Sequence, residues 1–197
     1  MLPDTLNPAA REWLDAFQIG MAASTAGLHN DACAHFERAL DIAIQKVFSP
    51  DHVLNTYLPY GTALRDAGRL DDCEILLFRA INYGAENGRA DSEPHMYLLA
   101  ELGMLHFERG KYGSSHPFLQ QSIDLLQRQK FRMIPEFAFV HLALATCYWQ
   151  LNDLARAKRM YRTAYNKCLK ARGPNHQMTL YAKQLYDSAS AGTLLFN

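Results

Sequence analysis

The chain has 197 residues, 49% hydrophobic and 20% charged, with 11 Gly and 8 Pro, a foldable composition that excludes a disordered polymer. No apolar run approaches the ~20 residues of a membrane span, and "MLPDTLNPAAREWLDA" lacks the basic start and apolar core of a secretory signal, so a cytoplasmic location without a membrane partner is expected. The net charge is zero but uneven: residues 1–127 carry 9 Lys/Arg against 17 Asp/Glu, and residues 128–197 carry 11 against 3, so the two ends have opposite potentials.

Helical periodicity predicts helices over 8–26, 29–47, 52–67, 70–87, 93–109, 113–129, 135–150, 153–171 and 176–190. The first opens with Asn7 as cap and Pro8 at the first helical position. The second, "FERALDIAIQKVF", lines up Phe36, Ala39, Leu40, Ala43 and Val47 on one stripe. Pro59 should kink the third helix or delay its start. The fifth and seventh, "YLLAELGMLHF" and "FAFVHLALATCYW", are apolar on most sides, as buried helices are. In the sixth, Pro117 places the start of the regular part near Ser115. The eighth, "DLARAKRMYRTAYNKCLKAR", holds seven Lys/Arg and no carboxylate after Asp153. Its buried stripe is Leu154, Ala157, Tyr161 and Ala164, extended by Cys168, while Arg156, Lys158, Arg159 and Arg162 form a basic surface. The ninth helix is expected to cap the open end of the array, ahead of a tail over 191–197.

The helices pair, and the pairs recur. Each first helix carries a large residue followed by a small one: Ile19-Gly20, Tyr60-Gly61, Leu102-Gly103 and Leu144-Ala145. A turn residue follows the small one by seven positions, at Gly27, Gly68, Gly110 and Asn152. Small or mid-sized residues come next at Ala32, Cys73, Ser115 and Ala157. Large ones stand at Phe36, Leu77, Leu119 and Tyr161, and small ones at Ala39, Ala80, Ser122 and Ala164. Successive copies are 41, 42 and 42 residues apart, and linkers contain Pro50, Pro94, Pro135 and Pro174 where second helices should have ended. A tight antiparallel pair needs a left-handed backbone at its turn, which Gly and Asn tolerate. Small residues admit close helix approach and the large residue fills the space opposite. One pair cannot bury its apolar face alone, whereas stacked pairs can.

With this register the chain resembles the tetratricopeptide repeat family. Its period of about 42 is longer than the usual ~34 and resembles the kinesin light chain type. "GPNHQMTLYAKQL" (173–185) is similar to the linker and following helix of those repeats, and "SPDHVLNTYL" (49–58) is a weaker copy. The resemblance implies one all-α domain over 1–197, a right-handed α-solenoid with repeats at 8–47, 52–87, 93–129 and 135–171 and a capping helix at 176–190. It also implies a concave face lined by the first helices that binds a protein or peptide partner. Carried over by register, the lining residues are Phe17, Met21 and Ser24; Leu58, Thr62 and Arg65; Tyr97, Met104 and Phe107; Phe139, Leu142, Thr146 and Trp149; and Tyr181 and Gln184. Places where kinesin-light-chain-type repeats commonly carry paired asparagines hold Phe17-Gln18, Leu58-Pro59, Ala100-Glu101 and Leu142-Ala143, so that family's cargo chemistry is not carried over.

The lining set is aromatic and Met-rich, with Arg65 as its one cation. It predicts an apolar or amphipathic peptide ligand rather than an acidic C-terminus. The tail's own Leu194, Leu195 and Phe196 are a second candidate occupant. Catalytic and metal-ligating patterns are missing from the eight histidines, with no His-Glu-x-x-His and no phosphate loop, so no enzyme activity, metal or cofactor is expected. His52 and His176 read as linker residues that cap helices or shape turns, and the four cysteines as buried free thiols. Other readings are nucleic-acid or acidic-partner binding through residues 153–172, a peptide-sensing regulatory domain, and self-association of the acidic and basic halves. Nucleic acid is disfavoured, because no aromatic stands beside a basic groove for base stacking and the N-terminal half repels phosphates.

Overall fold

The computed structural model describes residues 7–46, 48–131 and 137–193. Within them lie nine helices and no strand: α1 Pro8–Thr25, α2 His29–Gln45, α3 Pro50–Asp66, α4 Leu70–Glu86, α5 Glu93–Glu108, α6 Tyr112–Gln129, α7 Ala138–Gln150, α8 Leu154–Arg172 and α9 Gln177–Ala191. The fold is an all-α helical repeat. Every predicted helix is present, with ends shifted by three residues or fewer at the described positions. Residues 135–136 of the predicted seventh helix, Val47 and the tail's Leu194, Leu195 and Phe196 lie outside the described residues.

The four pair turns share one backbone solution. Gly27, Gly68, Gly110 and Asn152 all have positive φ, between 62° and 76°. In each, the next amide donates five residues back: Leu28 to Ala23, Arg69 to Leu64, Lys111 to His106 and Asp153 to Tyr148. This pattern ties the last carbonyls of a first helix. Asn7 and Asp153 cap α1 and α8 by accepting from the amides of Ala9 and Arg156, both at 3.0 Å.

Pro50 and Pro94 both lie beyond the ends of α2 and α4, as expected; Pro94 is the second residue of α5, and Pro50 stands at the first position of α3, two residues ahead of the expected start. Contrary to expectation, Pro59 does not delay the start of α3, which runs on past it, and Pro117 does not postpone α6 to Ser115. Each proline deletes one ladder bond, to Asn55 or Gly113, and both acceptor residues are exposed and can use water instead. His52 lies inside α3, not in a linker, with Nδ1 2.8 Å from the Ser49 hydroxyl.

The chain divides into two compact units, Met1–Glu101 and Leu102–Asn197. In the first, Phe36, Leu54, Leu64 and Leu77 are fully buried among Ala32, Ala39, Ala63 and Ala80. A Cβ on Gly20 would stand 2.9 Å from the Phe36 ring, and one on Gly61 3.3 Å from Leu77. In the second unit the core holds Leu105, Leu119, Ile123, Leu144 and Tyr161, and a Cβ on Gly103 would stand 2.6 Å from Leu119. The large residue of each second helix therefore fills the gap left by the small residue sixteen positions earlier. The next-smaller repeat position supplies bonds as well as space. Cys73 Sγ donates to the Gly61 carbonyl at 3.2 Å, and Ser115 Oγ to the Gly103 carbonyl at 2.7 Å. All four cysteines are buried and none forms a disulfide, and burial pushes the thiols of Cys33, Cys147 and Cys168 up, away from the reactive thiolate.

Candidate functional site

In the first unit the first-helix residues divide by environment. Phe17 is half-buried: it stacks on Trp13 at 5.1 Å and meets Phe36 edge-on at 5.7 Å. Trp13 is in turn anchored, its Nε1 donating to Thr56 Oγ1 at 3.1 Å. Phe17 thus extends the core to the surface. Met21 is 44% exposed, and Ser24, Leu58, Thr62 and Tyr97 are half-buried. The Thr62 hydroxyl turns inward, donating to the Leu58 carbonyl at 3.2 Å. Arg65 donates to Glu101 Oε2 at 2.8 Å, so the one cation selected on this face is neutralised.

In the second unit Met104, Phe107 and Trp149 are half-buried, and Phe107 rests edge-on against Tyr112 at 5.7 Å. Leu142 and Thr146 depart from the sequence expectation, since both are buried. Thr146 Oγ1 lies 2.9 Å from the Tyr161 hydroxyl and 3.0 Å from the Leu142 carbonyl, so it joins α7 to α8 instead of facing a ligand. Phe139 and Tyr181 are 46% and 50% exposed, and with His176, Gln177 and Met178 they line an open pocket of about 370 Å³. His176 caps α9, its Nδ1 accepting from the Met178 amide at 3.2 Å, and Arg172 lies 3.2 Å from its other ring nitrogen. The helix cap therefore also forms the pocket wall. Sequence reading took His176 as a capping residue and missed its place here, although it lies five residues ahead of Tyr181. Gln184 is exposed.

A further apolar patch in the first unit was missed. Ile19, Ala22, Ala23, Ala26, Leu28 and Ala34, together with Asp31 and His35, line an open depression of about 450 Å³, with Ile19 and Leu28 50% and 55% exposed. The signal was in the repeat register. Tyr60, Leu102 and Leu144, the counterparts of Ile19, are buried, whereas no described helix precedes α1 to cover Ile19.

The basic residues of α8 are not one uniform surface. Leu154, assigned to the buried stripe, is 41% exposed, while Ala157, Tyr161, Ala164 and Cys168 are buried. Arg156 is committed locally: its Nε pairs with Asp153, and its guanidinium sits 4.9 Å over the Tyr148 ring. The bonds from Arg156 hold the Asp153 carboxyl below its usual range. Lys158, Arg159 and Arg162 instead line, with Tyr186 and Ser190, an open cavity of about 230 Å³, so an aromatic does stand beside these cations, contrary to the sequence expectation.

Among the described residues no group of three or more His, Cys, Asp or Glu could hold a metal ion, and no helix is long and apolar enough to cross a membrane. Burial lowers the pKa values of three histidines, His95, His116 and His141, the last to about 4.

Two tetratricopeptide repeat models match the sequence, at residues 13–82 and 140–173, together more than half of the chain. No curated protein is similar to it by sequence. Among solved structures it superposes on the nearly identical kinesin light chain TPR-like repeats of Podosopora anserina with a TM-score of 0.73 at 15% identity, over 94% of this chain and 87% of that one. BtubC (BKLC) from P. vanneervenii gives 0.73 at 18% identity, over 94% and 82%. The Rap conjugation gene regulator of plasmid pLS20, solved in complex with the Phr* peptide, gives 0.72 at 17% identity, over 95% of this chain but 49% of that one.

Proposed function

Because the chain belongs to the tetratricopeptide repeat family and resembles the kinesin light chain type, a fold that is in general a non-enzymatic protein-interaction scaffold, we propose that it binds an apolar or amphipathic protein segment on its first-helix faces. The observation that carries this reading is the Phe139–Tyr181 pocket, where two half-exposed aromatics and Met178 surround an open cavity. Adaptable methionine and rigid aromatics are the side chains that anchor peptide ligands. Neutralisation of Arg65 by Glu101 supports an apolar ligand over an acidic one. The same-fold Rap regulator in complex with a peptide supports a peptide-sized ligand.

Displayed random peptides selected on the immobilised protein test the proposal. The expected winners are apolar or amphipathic, and Phe139→Ala with Tyr181→Ala should weaken them at least tenfold. Both side chains are about half exposed, so the helical circular dichroism should not change. Winners that are uniformly acidic, or that bind the double variant equally, would overturn the assignment.

A second reading rests on charge. The first unit carries 7 Lys/Arg against 15 Asp/Glu and the second 13 against 5, a balance of −8 and +8. Protomers associating acidic unit to basic unit is the arrangement this polarity favours. Light scattering should then show a mass that falls as salt rises from about 20 to 500 mM, across which screening removes surface attraction. A monomer at low salt and high concentration would exclude it.

A further inference from the structure

We propose that Lys158, Arg159 and Arg162 of α8, with the hydroxyls of Tyr186 and Ser190 of α9, form a binding site for a phosphate monoester. This is independent of the apolar-segment reading and uses none of its residues.

All five residues line one small cavity within the second unit. Positions 158 and 162 are one turn apart, and 159 lies beside them, so the three cations share a helix face. Like charges at that spacing repel, and ordinary surfaces offset them with carboxylates. Here the carboxylates are engaged elsewhere: Asp187 pairs with Lys183 at 2.6 Å, and Asp153 with Arg156. The guanidiniums of Arg159 and Arg162 have no ion-pair partner among the described residues.

The remaining parts are positioned rather than loose. Tyr186 lies parallel to Tyr165, with centroids 6.3 Å apart and rings 8° from coplanar. Lys158 Nζ donates to the Ser190 carbonyl, at 3.5 Å, near the negative C-terminal end of α9. That helix-end contact accounts for Lys158 but for neither arginine.

The donor set selects the ligand. Two guanidinium forks, one ammonium and two hydroxyls outnumber the acceptors of a carboxylate and suit the three oxygens of a phosphate monoester. Such a group carries −1.5 to −2 charges at neutral pH, with a second pKa near 6, and arginine binds it through paired N–H groups.

The test compares inorganic phosphate, a Gly-Ser host peptide bearing one phosphoserine, and its unphosphorylated twin, by calorimetry on the full chain at 150 mM salt. The phosphopeptide should bind and the twin should not. Inorganic phosphate should compete with it, and binding should weaken below pH 6. Arg159→Gln with Arg162→Gln should reduce affinity at least tenfold, while the charge-matched control Lys130→Gln with Lys170→Gln should not. Arg159→Lys with Arg162→Lys keeps the charge and removes the forks, and should also lose several-fold. Failure of the phosphopeptide to bind would overturn the site. So would equal loss in the control pair, or no loss in the lysine variant, either of which marks diffuse attraction. A random single-stranded oligonucleotide that binds more tightly than the phosphopeptide and depends on the same arginines would also overturn it, by identifying a backbone phosphodiester as ligand. So would a variant that changes only the mass of the protein in solution, which would identify the acidic unit of a second copy.

Discussion

Gly61 and Gly103 occupy the same place in successive repeats, yet alanine should have opposite effects at the two. In a helix interior, Gly→Ala gains about 1 kcal/mol of propensity. At Gly61 the new methyl would meet only Leu77 Cδ2 at 3.3 Å, with the next atom at 3.8 Å. A terminal methyl can yield by a few tenths of an ångström, so most of the gain survives and Gly61→Ala should stabilise by about 0.5 kcal/mol. At Gly103 the methyl would meet Leu119 Cδ2 at 2.6 Å, Cγ at 2.7 Å and the Leu119 backbone nitrogen at 3.0 Å. The side chain is fully buried and the backbone cannot rotate away, so the overpacking cost reaches the upper part of the usual ~1–3 kcal/mol. After the propensity gain, Gly103→Ala should destabilise by about 1–2 kcal/mol. The pair should therefore differ by about 2 kcal/mol, or ~4–8 °C in Tm for a chain of this length. Circular dichroism at 222 nm during urea and thermal unfolding measures both. Equal midpoints for the two variants, or a more stable Gly103→Ala, would refute the claim that Leu119 closes on Gly103. Repeat four already has Ala145 at this position, so the fold tolerates a methyl where the facing residue leaves room.

The remaining predictions concern buried polar groups. The His141 pKa lies at about 4 against an ordinary value of 6.5, because burial penalises the charged ring. The unfolded chain therefore binds a proton first as pH falls, and stability should be full above pH 6.5 and decline through pH 4, by about 3 kcal/mol at the end. His95 and His116 shift in the same direction. Urea midpoints from pH 7.5 to 4 should fall, and His141→Leu should flatten the profile; an unchanged slope in that variant would remove His141 as the cause. Tyr161→Phe should cost about 1–2 kcal/mol by leaving Thr146 without its partner across the helix pair. Thr146→Val added to Tyr161→Phe should cost less than the sum of the two single changes, and strict additivity in the double-mutant cycle would show the bond to be idle.

How much was legible in advance differs between turns, cores and surfaces. The turn positions Gly27, Gly68, Gly110 and Asn152 were readable because a left-handed backbone restricts residue type locally. The pairing of Gly20 with Phe36, Gly61 with Leu77 and Gly103 with Leu119 was readable because size must be complementary at a fixed spacing when two helices touch. That α3 and α6 start ahead of Pro59 and Pro117 was not legible, because a deleted ladder bond costs less when its acceptor can reach water. Asn55 and Gly113 are exposed, and that is a tertiary fact.

The sequence by itself determined the helices, their pairing, the repeat register and the family, because each depends on local backbone preference or on a periodic choice of residue size. Only the tertiary structure decided which first-helix side chains are surface. Leu142 and Phe139 are equally apolar and three residues apart, yet one is buried and the other is half exposed. Likewise only packing separated Arg156, held by Asp153 and Tyr148, from Arg159 and Arg162, which face a cavity with Tyr186. Composition and periodicity record which face of a helix a residue occupies. What lies opposite that face comes from other helices, and only their arrangement in space supplies it.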